Sequence, residues 1–168
     1  MNIQIEPILI EQKSVFIQLM NLYLYDFTEY TNDNIDNYGY FFDYSRADGL
    51  WIDTKLHPFF IRVDDKLAGF MIIANSGRKY INDENAQTIL EFFVMKKYRR
   101  NGVGRFVART AFDMFKGKWE VCQMQNNFPA RKFWKSIISE YTKNDYQECG
   151  TENDSLVGFI FDNSHTAV

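Results

Sequence analysis

Apolar positions along this chain recur at two periods, and the change from one to the other marks out the elements. Asn2 to Ile10 reads as a short strand. From about Glu11 to Phe27 the residues Phe16, Leu19, Met20, Tyr23 and Phe27 fall at helical spacing and predict a helix with one buried face. Between Asp26 and Asp48 the periodicity breaks and the segment reads as irregular and partly helical. Phe59 to Val63 and Leu67 to Ala74 flank Asp64-Asp65-Lys66 as the arms of a hairpin, and Asn75 to Gln87 is a polar loop. Thr88 to Met95 is apolar except for Glu91, as expected of a central strand covered on both faces. After Gly102 a helix is predicted with Val103, Val107, Ala111 and Met114 on its inner stripe and Gly117 placed to end it. Lys118 to Met124 follows as a strand. Pro129 opens a further helix whose apolar face is Ala130, Phe133, Trp134, Ile137 and Ile138. Tyr141 to Cys149 and Leu156 to Asp162 close the chain as two strands around the turn residues 150–154. This order predicts a mixed sheet with helices on its faces, an α/β class. Nothing repeats and no linker divides the sequence, so residues 1–168 are expected to form a single domain.

Composition narrows the classes. With 46% hydrophobic and 24% charged residues, collagen-like, disordered and coiled-coil chains are poor fits. Sixteen Phe and 10 Tyr point to a core or cleft built on rings. A net charge of −3 argues against a protein that coats nucleic acid, so any polyanion must meet a local patch. Cys122, Cys149, His57 and His165 show no metal-ligand spacing, and no metal site is expected. Without a leader pattern or a run of about 18 apolar residues, no membrane partner is expected, and the reading is a cytoplasmic protein with reduced thiols.

The segment from Glu91 to Arg109 carries the chemistry. A buried strand runs into Lys96-Lys97-Tyr98-Arg99-Arg100-Asn101-Gly102-Val103-Gly104 and then a helix. A helix N-terminus presents backbone N–H groups and partial positive charge, and glycines let an anion approach them closely. Lys96, Lys97, Arg99, Arg100, Arg105 and Arg109 add six cations with no acid among them. No Walker A string exists in the sequence. A dinucleotide fingerprint would need glycine where Val107 stands and glycines directly at the strand end, although Glu120 sits at a tempting distance. Taken singly, the glycine pair reads as tight packing, Asn127 as a helix cap and the basic run as a solvated loop; their order is what points to a phosphate site.

Arg99-x-x-Gly102-x-Gly104 resembles the pyrophosphate-binding signature of the GNAT N-acetyltransferase superfamily, (Gln/Arg)-x-x-Gly-x-(Gly/Ala), which joins the fourth strand to the next helix. Asn127-Phe128-Pro129-Ala130-Arg131-Lys132-Phe133-Trp134 is similar to the family's Asn-x-x-Ala-x-x-Phe-aromatic segment, and the likeness in element order spans about Asn2 to Asp162. The resemblance implies a mixed, mostly antiparallel sheet of about seven strands flanked by about four helices. It implies acetyl-coenzyme A as cofactor, with Arg99 in the signature and the pyrophosphate on the backbone amides of Arg100, Asn101, Gly102, Val103, Gly104 and Arg105. The pantetheine arm would pair with the fourth strand where it splays from the fifth, using backbone groups of Phe93, Val94 and Met95. An N–H near Val94 would polarise the thioester carbonyl, and Asn127 would touch the pantetheine or the pyrophosphate side. The implied activity is direct acetyl transfer, in a ternary complex, to a primary amine of a small molecule or peptide. The implied partners are an amine-bearing acceptor, no nucleic acid, no membrane and, if the chain self-associates, a homodimer.

An amine is mostly protonated at neutral pH, so transfer benefits from a base reached directly or through water. Glu91, the ionisable residue in an apolar strand three residues before Val94, is the candidate. Many members of the family place a tyrosine as general acid where this chain has Trp134, which has no labile proton to give. Tyr98 and Tyr141 are the substitutes, and the departure also admits a non-catalytic coenzyme A-binding or sensing module. Cys122 reads as core. Asp26, Glu29, Asp33, Asp36, Asp43 and Asp48 face a single Arg46 among Tyr30, Tyr38, Tyr40, Phe41, Phe42 and Tyr44, and this stretch is expected to wall a site for a cationic acceptor.

Overall fold

Apolar side chains on alternating faces of long strands need a cover on both sides, and the helices supply it. The computed structural model describes residues 1–42, 44–77 and 79–165, without the side chains of Tyr44 and Arg46. Seven strands, β1 (Ile3–Pro7), β2 (Leu56–Val63), β3 (Lys66–Asn75), β4 (Gln87–Val94), β5 (Lys118–Met124), β6 (Gln147–Cys149) and β7 (Leu156–Asp162), form one sheet in the order β1-β2-β3-β4-β5-β7-β6. Each neighbouring pair is antiparallel except β4 with β5, which is parallel. Four α-helices flank the sheet: α1 (Lys13–Phe27), α2 (Gly49–Ile52), α3 (Val103–Met114) and α4 (Phe128–Tyr141). The α/β class and the strand and helix numbers agree with the sequence reading.

On one face, Phe16, Ile17, Leu19 and Met20 of α1 pack onto Phe60, Phe70, Ile72 and Phe93. On the other, Val103, Val107, Ala111 and Phe112 of α3 and Trp134, Ile137 and Ile138 of α4 cover Ile61, Met71, Ile73, Ile89, Val121 and Phe159. Phe16 is a hub of the first layer. The rings of Phe42, Trp51 and Phe70 meet it edge-on at 6.4, 6.1 and 5.2 Å, and Trp51 Nε1 donates to the Ile8 carbonyl at 2.8 Å. Asn21 Oδ1 accepts the N–H of Phe41 at 2.8 Å and of Phe42 at 3.3 Å, so the segment without periodicity is tied to α1 by specific bonds.

The first strand ends at Pro7, short of Ile10, and three further points differ from the sequence reading. The strand expected over 141–149 begins only at Gln147, because α4 continues through Tyr141. The Tyr141 ring packs on Phe112 at 5.1 Å and its hydroxyl donates to Asp113 at 2.8 Å, and Lys143 and Asn144 at φ 55 and 70 then turn the chain. Met114 is 48% exposed, and Phe112, fully buried, takes the inner position as the stripe drifts around α3. Gly117 does not terminate α3, which ends at Met114; at φ 128 it sets the entry into β5, its N–H held by Asn163 Oδ1 at 2.8 Å.

Glu120 is fully buried on β5, and its carboxylate accepts the N–H groups of Lys79 (2.8 Å), Tyr80 (3.2 Å) and Ile81 (3.0 Å). It is thus a staple for the β3–β4 loop and not a ribose ligand. Tyr80 extends the same anchorage by donating its hydroxyl to the Leu156 carbonyl at 2.6 Å. Glu120→Ala, which removes the acceptor of three part-buried backbone N–H groups, is expected to lower unfolding free energy by about 2 kcal/mol, read by urea denaturation, while Glu120→Gln costs less because one amide oxygen still accepts.

Candidate active site

The site begins with an interruption of the sheet. On β3 and β4 the register shifts between Ile72 and Ile73, so that Ile72 faces Glu91, Ile73 faces Ile89 and Leu90 is the extra residue of a bulge. Beyond the bulge the pairing is regular, and Met95 N–H donates to the Ala68 carbonyl at 2.8 Å. Because antiparallel ladders alternate, Glu91, Phe93 and Met95 turn their backbone groups to β3, while Phe92 and Val94 turn theirs the other way. On that other side β5 pairs only at Trp119 with Gln87 and at Glu120 with Thr88, then follows β7 for its whole length. The amides of Phe92 and Val94 therefore face a widening gap. Of the three residues expected to offer backbone groups there, the pairing turns Val94 to the gap, and Phe93 and Met95 are directed into the sheet.

Rings hold the gap open. Phe92 points to the α3/α4 side and meets Phe133 at 5.8 Å and Trp134 at 5.0 Å. Phe93 points to the α1 side and meets Tyr23 at 5.6 Å and Phe70 at 5.7 Å. A cavity of about 1010 Å³ lies between, bordered by Phe92, Phe93 and Val94, the turn residues Lys96, Arg99 and Arg100, Gly104 and Arg105 of α3, Asn127 and the first turns of α4, and Tyr23 with residues 25–30 of the α1 end.

The turn after β4 is a single 3-10 turn (Lys96–Tyr98), followed by Arg100 at φ 62 and Gly102 at φ 80. Gly102 is the N-cap of α3, and a Cβ there would point into open space, so the left-handed backbone is what calls for glycine. Gly104 has the opposite reason: its Cβ would lie 3.0 Å from the Phe133 ring, so glycine lets α3 and α4 approach. The first bond inside α3 runs from Phe106 N–H to the Gly102 carbonyl at 3.0 Å, and the amides of Val103, Gly104 and Arg105 form its open N-terminal end. Asn127, 7% exposed, caps α4 by accepting the Ala130 N–H at 3.1 Å and also borders the cavity.

The folded chain supplies acids to the cationic run. Asp26, at the end of α1, pairs with Arg99 at 2.6 Å and Lys96 at 3.0 Å. Burial by itself would raise its pKa; the hydrogen bonds from Arg99 and Lys96 outweigh that and hold the carboxyl below its ordinary range. Arg99 Nε also donates to the Val94 carbonyl at 2.6 Å, so this guanidinium braces the end of β4. Arg105 and Arg109 share Glu140. Arg100 and Lys132 line the cavity and carry no ion pair among the described residues.

Glu91 is half-buried on the α1 face, the side of Phe93 and Ile72, and does not border the cavity. Trp134 is 5% exposed among Phe92, Phe112 and Phe133. Neither Tyr98 nor Tyr141 borders the cavity, and burial with the neighbouring Asp113 pushes the Tyr141 hydroxyl up to about 12. The tyrosines that do border it, Tyr23, Tyr25 and Tyr30, come from α1 and its end. Burial first, then the charge and hydrogen bond of Glu29, raise the pKa of Tyr30. Sequence periodicity marked Tyr23 only as core and gave no sign of Tyr25, whereas Tyr30 belongs to the stretch expected to wall the acceptor site.

The acidic stretch is divided among several tasks. Asp26 is paired as described, Asp48 binds Lys13 at 2.6 Å, and Asp36 accepts the N–H groups of Tyr38 and Tyr40 within its own turn. Tyr38 and Tyr40 are exposed and Phe42 packs on Phe16, so none of them walls the cavity. Asp43 and the side chains of Tyr44 and Arg46 lie outside the described residues. Within this stretch, Asp26 and Glu29 are the acids that border the cavity. No helix is long and apolar enough to cross a membrane, and no cluster of three or more His, Cys, Asp or Glu is placed to hold a metal ion, both among the described residues.

Solved structures with the same arrangement are numerous. An acetyltransferase from Thermus thermophilus superposes with a TM-score of 0.69 at 10% identity, covering 96% of this chain and 97% of that one. The PaiA N-acetyltransferase from Thermoplasma acidophilum, in complex with coenzyme A, gives 0.66 at 15% identity over 96% and 99%. An aminoglycoside acetyltransferase in complex with coenzyme A gives 0.66 at 11% over 96% and 95%. No curated protein sequence matches the chain. These likenesses establish the fold; the sequence model of the acetyltransferase (GNAT) family matches residues 16–137, which include the splayed strand, the glycine turn and most of α4, and the chain belongs to that family.

Proposed function

We propose that this protein moves the acetyl group of acetyl-coenzyme A to a primary amine of a small molecule or peptide, by direct transfer in a ternary complex. The observation that carries the reading is the gap itself: β4 and β5 pair at two positions, and beyond them Val94 turns its amide into a cavity that ends at the open N-terminus of α3. A gap of unpaired strand edge joined to an anion-binding helix end suits an extended arm with a pyrophosphate at one end. The thioester supplies an activated acyl group and a thiolate leaving group.

The chain's own groups have separable tasks. The amides of Val103, Gly104 and Arg105 bind the pyrophosphate, with Arg100 and Lys132 as the cations nearest the opening; the exposed Arg105–Glu140 pair costs little to rearrange. The Val94 N–H donates to the carbonyl oxygen as charge develops on it, and its direction is held by β3 on one side and Arg99 on the other. Glu91 takes the amine proton through water, since it stands on the α1 face outside the cavity wall. Thiolate release proceeds without a tyrosine at position 134. Glu29, bordering the cavity, provides the negative charge that draws a cationic amine, a narrower basis than the whole acidic stretch.

Three measurements test this. Gly102→Val, which forces a β-branched residue into a left-handed conformation and a side chain into the anion's path, is expected to abolish acetyl-coenzyme A binding by calorimetry with a small change in melting temperature; unchanged affinity would place the cofactor elsewhere. Glu91→Gln is expected to lower kcat/KM most at low pH and to leave cofactor affinity alone, and an unaltered pH–rate profile would reduce Glu91 to a structural residue. Glu29→Gln is expected to raise KM for a cationic acceptor a few-fold and to flatten its dependence on salt, whereas a neutral or anionic preferred acceptor would contradict the charge argument. Binding without turnover over a broad amine panel would favour a coenzyme A-binding module instead.

A further inference from the structure

The guanidinium of Arg99 is shared between the strand that borders the gap and the helix end that walls it. Antiparallel pairing turns both backbone groups of Val94 away from β3, so its N–H and its carbonyl face the gap together. Arg99 Nε donates to that carbonyl at 2.6 Å, and Nη2 of the same group donates to Asp26 Oδ2 at 2.6 Å. Its central carbon lies 5.8 Å from the centroid of the Phe93 ring, which in turn meets Tyr23 of α1. Nε and one Nη are thus committed within the protein, and the group stands on the α1 side of β4 with Phe93. The open amides of Val103, Gly104 and Arg105 belong to α3, which covers the other face of the sheet.

Asp26 is the better buried partner, its side chain 19% exposed against 40% for Arg99. Its second oxygen takes Lys96 at 3.0 Å, from a side chain that is 74% exposed. A solvated ammonium is one donor atom on a flexible stem, so Lys96 adds charge and leaves the geometry open. The planar fork of Arg99 instead fixes the Asp26 carboxylate relative to the Val94 carbonyl. What Asp26 carries is the wall of the cleft. Beyond it the N–H of Thr28 donates to the Leu24 carbonyl and those of Tyr30 and Thr31 to the Phe27 carbonyl, while the Tyr30 carbonyl accepts from Asn126 Nδ2 at 3.1 Å. Residues 26–30 therefore bridge the gap, tied to the exit of β4 at Asp26 and to the β5–α4 connection at Tyr30, with Glu29 on the cavity between them.

We propose that Arg99 is a positioning residue that links the two substrates of the reaction: its fork holds the Val94 amide that seats the thioester and the residues 26–30 that wall the acceptor amine in one geometry. The inference rests on the acetyl-transfer reading above and gives Arg99 a task other than binding the pyrophosphate. A carbonyl oxygen on the Val94 N–H restrains the end of β4, and Arg99 passes that restraint to Asp26 and the segment beyond it. Linkage makes the effect mutual, so an ordered wall also holds the Val94 amide in place for the thioester.

Amide hydrogen exchange over residues 25–32, followed by mass spectrometry with and without acetyl-coenzyme A, reads the link directly. In the parent the cofactor is expected to slow exchange at Thr28, Tyr30 and Thr31 by about fivefold or more. Arg99→Lys keeps the charge and loses the fork, and Asp26→Ala removes the carboxylate that the fork holds. Each is expected to abolish that slowing, to keep protection at the N-terminus of α3, and to leave the calorimetric Kd for acetyl-coenzyme A within about threefold of the parent value. The double variant is expected to match Arg99→Lys, because both changes break one bridge. Arg99→Gln, which removes the charge as well, is expected to behave as Arg99→Lys does. If Arg99→Gln instead weakened cofactor binding about tenfold and Arg99→Lys restored it, Arg99 would be a phosphate ligand and the assignment would fall. Cofactor binding to the parent with no slowing at residues 28–31, or slowing that persists in the Arg99 variants, would overturn the link and leave the acetyl-transfer reading standing. Absence of binding to the parent would remove that reading and the inference with it.

Discussion

The divergence of β4 from β5 is the constraint on which the rest of the molecule depends. A parallel pair inside a sheet ordinarily satisfies its backbone groups along its length, and here it does so for two residues. The bulge at Leu90 adds twist to β4, and Phe92, wedged with Phe133 and Trp134, keeps the strands from closing again. β5 loses nothing by this, because β7 pairs with it from Lys118 to Met124. The cost falls on the outer edge of β4, and that edge is where the chemistry is assigned.

Around this gap the chain arranges charge by cancellation. The six cations of the glycine turn look like an open anion trap in sequence, yet Asp26 and Glu140 pair with four of them and offset two of the six charges. Asp26 thereby ties the end of α1 to the glycine turn, while the Asn126 side chain, donating to the Tyr30 carbonyl at 3.1 Å, ties the same segment to the β5–α4 connection. The α1 end thus spans the cleft from one strand's exit to the other's, and its position is coupled to both. Exposed pairs of this kind are individually worth little, so their role is to set geometry more than to stabilise.

The sheet edge on the far side is organised by a different economy of space. Glu120 holds three consecutive amides of the β3–β4 loop over the β5–β7 face, and Gly158 leaves room for the Cys122 sulfur where a Cβ would collide. Both depend on residues that lack an obvious pattern of their own: one acid in an apolar strand and one glycine in another.

Periodicity and local chemistry determined a great deal unaided. The helical stripe of α1, the hairpin of β2 and β3, the apolar run of β4 with its single acid, and the order strand, basic turn, glycines, helix are local properties, and they sufficed for the fold class and for the position of the glycine turn. Boundaries that rest on long-range packing did not follow. Tyr141 stays helical because Phe112 and Asp113, some thirty residues earlier, engage it. The tertiary structure alone decided which backbone amides face the cleft, since that depends on the register against β3 and on where β5 departs. It decided as well that Tyr23 and Tyr25 border the cavity, that Tyr98 and Tyr141 do not, and that acids distant in sequence answer the cations. The physical reason is common to all of these: hydrophobic period reports which way one element faces, whereas pairing, wedging and charge neutralisation are properties of two elements brought together.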